Sequence, residues 1–310
     1  MALHPNQHPG QPLPLLLDPT GTVNLANPAE IETAIAAIMT ANFGTDWNAE
    51  FVSGAIRDVI RAYRGNYPGL LQADTLYHDL RHVLETGLTT ARLIDGYAKY
   101  AAANGAFRLE PKDAELAVVL ALFHDVGLLR KDSEAALTGP NLMPVHEERA
   151  VAFLRKYLVG RVSESDVGMA EIVMATSFAF SIPMNWSPAE QLLGCMVASA
   201  DLLSQLSDRD YLEKCRDFLF VEFSACGLAG TPDSEYPDRE TLLAKTPGFI
   251  SSIVRRRLDH EFRGTYRLLE LHTGHGNPWQ NAIQRNLAFL EQILASQDFS
   301  RLRRSPHVFL

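Results

Sequence analysis

The sequence is poor in several things that whole classes of protein require. Of its 310 residues only three are cysteine, Cys195, Cys215 and Cys226. Their number is odd and their spacing fits no zinc ligand set, so a disulfide scaffold is excluded and reduced, inertly packed thiols in a cytosol are expected. No run approaches the roughly 18–20 apolar residues that cross a bilayer. The longest clean one, 116–123, stops at His124 and Asp125. The first residues carry His4 and His8 where a secretory signal carries Lys or Arg, and the apolar stretch 13–17 is broken by Pro14, so no secretory leader is read there. Basic side chains are outnumbered, 28 Lys plus Arg against 37 Asp plus Glu, for a net charge of −9. A nucleic-acid-coating protein carries the opposite balance. A small anionic substrate stays open, because a bound metal reverses the local field. No segment alternates apolar and polar residues with period two, so no sheet is predicted, and there is no repeat of fixed period. The expectation is a cytoplasmic protein without nucleic-acid or membrane partners; a homodimer stays open.

What is present is an ordinary globular balance, 46% hydrophobic and 21% charged, in a chain long enough to bury a large core. Asn27-Pro28 opens a helix with Ile31, Ile35, Ile38 and Met39 on one face. A second helix fits 48–64, closed by the breakers Gly65-Asn66-Tyr67-Pro68-Gly69. A long helix is predicted over 74–103, ended by Asn104-Gly105. Pro111 starts another, apolar all round to Phe123, as in a buried central helix. Further helices fit 144–159, 165–176, 188–206, 208–225, 239–260 and 278–297, with a loop at 227–237. The fold class is therefore all-α, a single multi-helix bundle over 28–298. A mobile arm with five prolines (1–27) precedes it, and a basic tail (299–310, with Arg301, Arg303 and Arg304) follows.

Three short stretches carry chemistry. In Tyr77-His78-Asp79-Leu80-Arg81-His82 the two histidines are four apart, so on a helix they share a face. In Leu122-Phe123-His124-Asp125-Val126-Gly127 a His-Asp pair ends a wholly apolar helix, where unpaired polar groups are costly, and Gly127 keeps the backbone open beside it. In Val197-Ala198-Ser199-Ala200-Asp201-Leu202-Leu203 one carboxylate sits among small apolar residues. Together His82, His124, Asp125 and Asp201 make a His₂Asp₂ set suited to a divalent ion with open positions. A carboxylate can bridge to a second ion, as in phosphoester hydrolysis. His78 is left free to protonate a leaving oxygen.

These residues and their intervals resemble the HD-domain metal-dependent phosphohydrolases. Tyr77-His78-Asp79-Leu80-Arg81-His82 is similar to the Y-H-N-x-x-H of class I cyclic nucleotide phosphodiesterases, with Asp79 in place of Asn. Ala121-Leu122-Phe123-His124-Asp125-Val126 is similar to their buried H-D helix, and Ala200-Asp201-Leu202 to their later A-D-L. The likeness spans about 77–205. It implies an all-helical catalytic domain with His82, His124, Asp125 and Asp201 as ligands of one or two divalent ions (Zn, Mn, Mg or Fe). It also implies Asp125 as the bridge and His78 as the acid. His146 falls where many such proteins place a second-metal histidine, and Glu147 or Glu148 would orient His78. The implied activity is hydrolysis of a cyclic nucleotide or related phosphoester through a metal-activated water. A nucleoside monophosphate phosphatase, an HD-type iron oxygenase and a non-catalytic sensor are the alternatives.

Other candidates have plainer readings. Arg130 and Lys131 follow the H-D helix and are candidates for a phosphate contact. Arg255-Arg256-Arg257 reads as a solvated helix face, His272 and His275 as part of a connecting loop, and Phe178, Phe180 and Trp186 as core.

Overall fold

A computed structural model describes residues 16–309. The first turns are set by side chains that accept the orphan amides of a starting helix. Asn27 accepts the Ala29 N–H ahead of α1 (Pro28–Phe43), and Asn48 accepts the Phe51 N–H ahead of α2 (Ala49–Tyr63). Next come α3 (Leu80–Asn104), α4 (Pro111–Leu122) and α5 (His146–Leu158). Ser187 and Glu190 form a reciprocal capping box on α6 (Pro188–Ser207). Then follow α7 (Tyr211–Lys214), α8 (Phe220–Ala225), α9 (Arg239–Gly248), α10 (Leu268–Thr273) and α11 (Pro278–Ser296). Wider π-type turns join α7 to α8 and continue α9 as far as Glu261. Among the described residues there is no strand, only three isolated bridges, and no helix is long and apolar enough to cross a membrane.

α3 is the axis. It packs against α1, α4, α6 and α10, and from Leu80 to Tyr97 every residue is buried. That surround explains why Arg81, His82, Glu85, Thr86, Thr89, Thr90 and Arg92 are all interior. α4 is buried from Ala114 to Leu122, as its all-round apolar pattern predicts. One contiguous apolar core joins residues from Leu16 to Phe309. The loop at 227–237 adds a small satellite of Phe220, Ala229 and Leu242.

Three sequence expectations need correction. The helix predicted over 74–103 starts only at Leu80, because Asp79 is its cap: the carboxylate accepts the His82 N–H at 3.0 Å. The amides just before it are taken elsewhere, since Glu222 accepts the Tyr77 N–H at 2.6 Å. Segment 165–176 is wound as 3₁₀ turns over Asp166–Thr176; Gly168 and the β-branched Ile172 and Val173 weaken an α-helix there. The arm drawn as 1–27 is docked over its described part. Leu16, Val23, Leu25 and Ala26 are buried, and buried Asp18 pairs with Arg92 of α3; the first fifteen residues, with His4 and His8, lie outside the described residues. The basic tail is also docked, with Leu302 and Phe309 buried.

Two helices approach so closely that only glycine fits. At Gly96 of α3 an added Cβ would meet the Leu268 carbonyl oxygen of α10 at 2.0 Å. Gly96→Ala should therefore push α10 away and lower stability by about 1–3 kcal/mol, read as a lower urea midpoint at unchanged slope.

Candidate metal centre

His82 lies on the first turn of α3, His124 and Asp125 in the turn that leaves α4, and Asp201 midway along α6. The packing of α3 against α4 and α6 brings the three stretches together. The facing atoms are Nε2 of His82, Nε2 of His124, Oδ1 of Asp201 and Oδ2 of Asp125. His82 and His124 are 3.2 Å apart. Asp201 lies 3.2 Å from His82 and 3.5 Å from His124. Asp125 lies 3.5 Å from His82 and 3.2 Å from His124. Ligands bound at ~2.0–2.2 Å to one ion are separated by about 2.8–3.6 Å in tetrahedral or octahedral arrangements, so the spacings among His82, His124 and Asp201 fit a common centre; Asp125 lies beside both imidazoles but is not part of that three-residue group. His82, His124 and Asp201 thus form a buried group that can hold a metal ion.

Hydrogen bonds behind the ligands support that fit. Nδ1 of His124 donates to the Ala121 carbonyl at 2.8 Å, which fixes the ring with Nε2 toward the cluster. Gln205, one turn beyond Asp201, donates to its Oδ1 at 2.6 Å and accepts from the Tyr77 hydroxyl at 3.3 Å. Asp125 Oδ2 is buried without a hydrogen-bond partner, an expensive state for a carboxylate that a cation relieves. Burial opposes charge on His124, yet Asp125 and Asp201 outweigh it and raise its pKa well above the usual imidazole value. Burial lowers that of His82.

His146 joins this group. It opens α5, and its Nε2 lies 3.5 Å from Asp125 Oδ1, so the two oxygens of Asp125 face different imidazoles. Nδ1 of His146 donates to the Met143 carbonyl at 2.6 Å, and the Glu147 carboxylate is 3.2 Å from it. Gly127 makes the approach feasible. Its role is contact rather than openness, since a Cβ there would meet the His146 carbonyl oxygen at 1.9 Å. Arg149 fastens the same turn by donating to the carbonyls of Gly127 and Leu129.

His78 is not one helical turn below His82 but in the bend just ahead of α3; the two rings are 6.2 Å apart. Its orienting carboxylate is neither Glu147, which serves His146, nor Glu148, which is exposed. It is Glu222 of α8, whose Oε2 lies 2.6 Å from His78 Nδ1. Side-chain exposure shows where the site opens. His78 (13%), His146 (16%) and Asp201 (10%) reach solvent, whereas His82, His124 and Asp125 are at 3% or less. Behind His82 is a cavity of about 10 Å³ lined by Tyr77, Arg81, Glu85 and Lys214, room for about one water. A larger cleft of about 460 Å³ between α2 and the end of α5 contains none of these residues.

Several candidates fall away. Arg130 is committed to Asp74 at 3.2 Å and to the Leu137 carbonyl, and exposed Lys131 lies in the adjoining loop, paired by an isolated bridge with Leu70. Arg257 is not solvated: it is buried and donates to the carbonyls of Ala175 and Ser177. His272 ends α10 and bonds Asp95. Phe178 is exposed and covered by Arg257 on one face. Sequence reasoning missed Glu222, Gln205 and Tyr63. Glu222 is remote in sequence from His78, and Gln205, though only four residues from Asp201, reads as one more polar residue of α6. Tyr63 reads as one more inward residue of α2, yet its fully buried hydroxyl has no partner. Its pKa is driven well up by burial and then by Asp125, Asp79 and Glu222.

A comparison with protein-family models found no match, and a search of the curated proteins found none either.

Ligation by folded-state residues predicts linkage to stability. A divalent ion at a hundredfold excess over its Kd should stabilise the chain by about 2.7 kcal/mol, and Asp201→Asn should remove most of that gain. Thermal unfolding with and without Mn²⁺ or Zn²⁺ measures both.

Proposed function

We propose that the chain is a metal-dependent phosphohydrolase of the HD-domain type, acting on a cyclic nucleotide or related phosphodiester. The observation that carries this reading is the buried His82, His124 and Asp201 group, with Asp125 Oδ2 at 3.2–3.5 Å from the same two imidazole nitrogens and an independently oriented His78 at the open side. A divalent ion held there would neutralise the carboxylates, bind the phosphoryl oxygens and lower the pKa of a water to near neutrality.

The protein's own groups do the rest. Asp125 and Asp201 would repel an anionic substrate on their own, so the donor set makes phosphate affinity conditional on the cation. Asp125, with one oxygen toward His82 and His124 and the other 3.5 Å from His146, would on this reading be the residue able to serve a second ion as well as the first. His78 has Nδ1 engaged by Glu222, so Nε2 carries the proton that can be passed to a departing alkoxide. Burial works against charge on this ring, but the Glu222 carboxylate outweighs it and raises the pKa to about 9. The acid therefore remains protonated at neutral pH. A phosphomonoesterase acting on nucleoside monophosphates uses the same parts; assays of diesters and monoesters with Mn²⁺ or Mg²⁺ separate the two.

Two outcomes test the proposal. Asp125→Ala should abolish metal content and turnover together, by at least about a thousandfold in kcat; full activity in that variant overturns the site assignment. The raised His78 pKa predicts that kcat falls as pH rises through about 9, where the acid loses its proton. Glu222→Gln removes the opposing carboxylate, leaves burial to depress the ring, and should move that alkaline limb down to neutral pH or below.

A further inference from the structure

The segment that carries His78 and leads into His82 is held from two sides. On one side Glu222 accepts the N–H groups of Tyr77 (2.6 Å) and His78 (3.4 Å). On the other lies the far end of the chain. The Phe309 N–H donates to Asp79 Oδ2 at 3.2 Å, and the Leu80 N–H donates to the Phe309 carbonyl at 3.0 Å. Asp79 is fully buried, and its second oxygen accepts the His82 N–H. One carboxylate thus ties residue 309 to the backbone of a metal-ligand candidate.

The rest of the C-terminal segment is built to deliver Phe309 there. Leu302 is buried, and its carbonyl accepts from Arg216 at 2.8 Å. Arg304 donates to the Arg209 carbonyl at 2.8 Å and lies 3.6 Å from Asp210. Residues 303–305 and His307 are exposed, so the stretch is pinned at two apolar ends. Pro306 restricts the backbone between them. The Phe309 ring is buried and lies under the Arg81 guanidinium, 5.6 Å from ring centre to carbon.

We infer that residues 302–309 form a strap and that Phe309 is a positioning residue for the metal centre, acting through Asp79 on the first turn of α3 and so on His82. The consequence for ion binding rests on the metal reading above; the hold on α3 does not. Groups that orient a metal ligand from behind typically change affinity 10–100-fold when lost. Without Phe309, a buried carboxylate oxygen and the Leu80 N–H lose their partners, and the first turn is free to shift.

Two full-length variants test this. Phe309→Pro removes the N–H that Asp79 accepts, whereas Phe309→Leu keeps both backbone bonds. Measured by amide hydrogen exchange, Phe309→Pro should speed exchange at Leu80 and His82 at least about tenfold while leaving Leu290 of α11 unchanged. Its Kd for Mn²⁺ should weaken about tenfold, and Phe309→Leu should retain both properties. Unchanged exchange at Leu80 and His82 in Phe309→Pro overturns the strap. Faster exchange with an unchanged Kd overturns the positioning role. A parent chain without Mn²⁺ affinity overturns the metal reading instead, and the exchange result then decides the strap by itself.

Discussion

Asp125 and Asp201 lie within 3.5 Å of the same two imidazole nitrogens, in a part of the bundle from which water is nearly excluded. Two like charges so placed are strongly unfavourable unless a positive charge lies between them. The surrounding architecture can be understood as the means of tolerating that arrangement. Four helices enclose α3, and several side chains of the cluster are held from behind or beside: His124 and His146 each by a carbonyl through Nδ1, and Asp201 by Gln205, which donates to the same oxygen that faces the imidazoles. What faces inward is the buried His82, His124 and Asp201 group that can hold a metal ion.

The supports differ in reach. Some are local, such as Asp79, which caps α3 three residues before the amide it holds. Others span the chain. Glu222 orients His78 across 144 positions and Phe309 meets Asp79 across 230. Such long closures depend on the whole core being formed, which couples integrity of the site to global folding. Gly127 shows the same dependence at short range: its missing side chain lets the start of α5 settle against the turn bearing Asp125 and brings His146 beside it.

How much of this was readable beforehand varies with the physics involved. The helices of 31–39, 48–64, 111–123, 188–206 and 278–297 show in their periodicity, breakers and caps, because those signals act within a few residues. The start of α3 was read too early, since apolar spacing runs smoothly through 74–79 and only Asp79 and the distant Glu222 divert the backbone. The docked residues 16–27 were read as part of a mobile arm, and 302–309 only as part of a basic tail, for a related reason: proline-rich and arginine-rich composition lowers local structure, and nothing nearby in sequence reveals a partner such as Arg92 or Asp79.

The candidate ligands His82, His124, Asp125 and Asp201 stand out in the sequence by themselves, because polar residues of those types inside apolar helical stretches are too costly to be there by chance. So do the all-α class and most helix positions, which follow from local periodicity and capping. Only the tertiary structure decided that Glu222 orients His78, that His146 reaches Asp125, that Arg130 and Arg257 are committed elsewhere, and that the chain's far end closes on the cap of α3. Each of these is a contact between residues distant in sequence, and its formation depends on close packing between helices that no local pattern specifies.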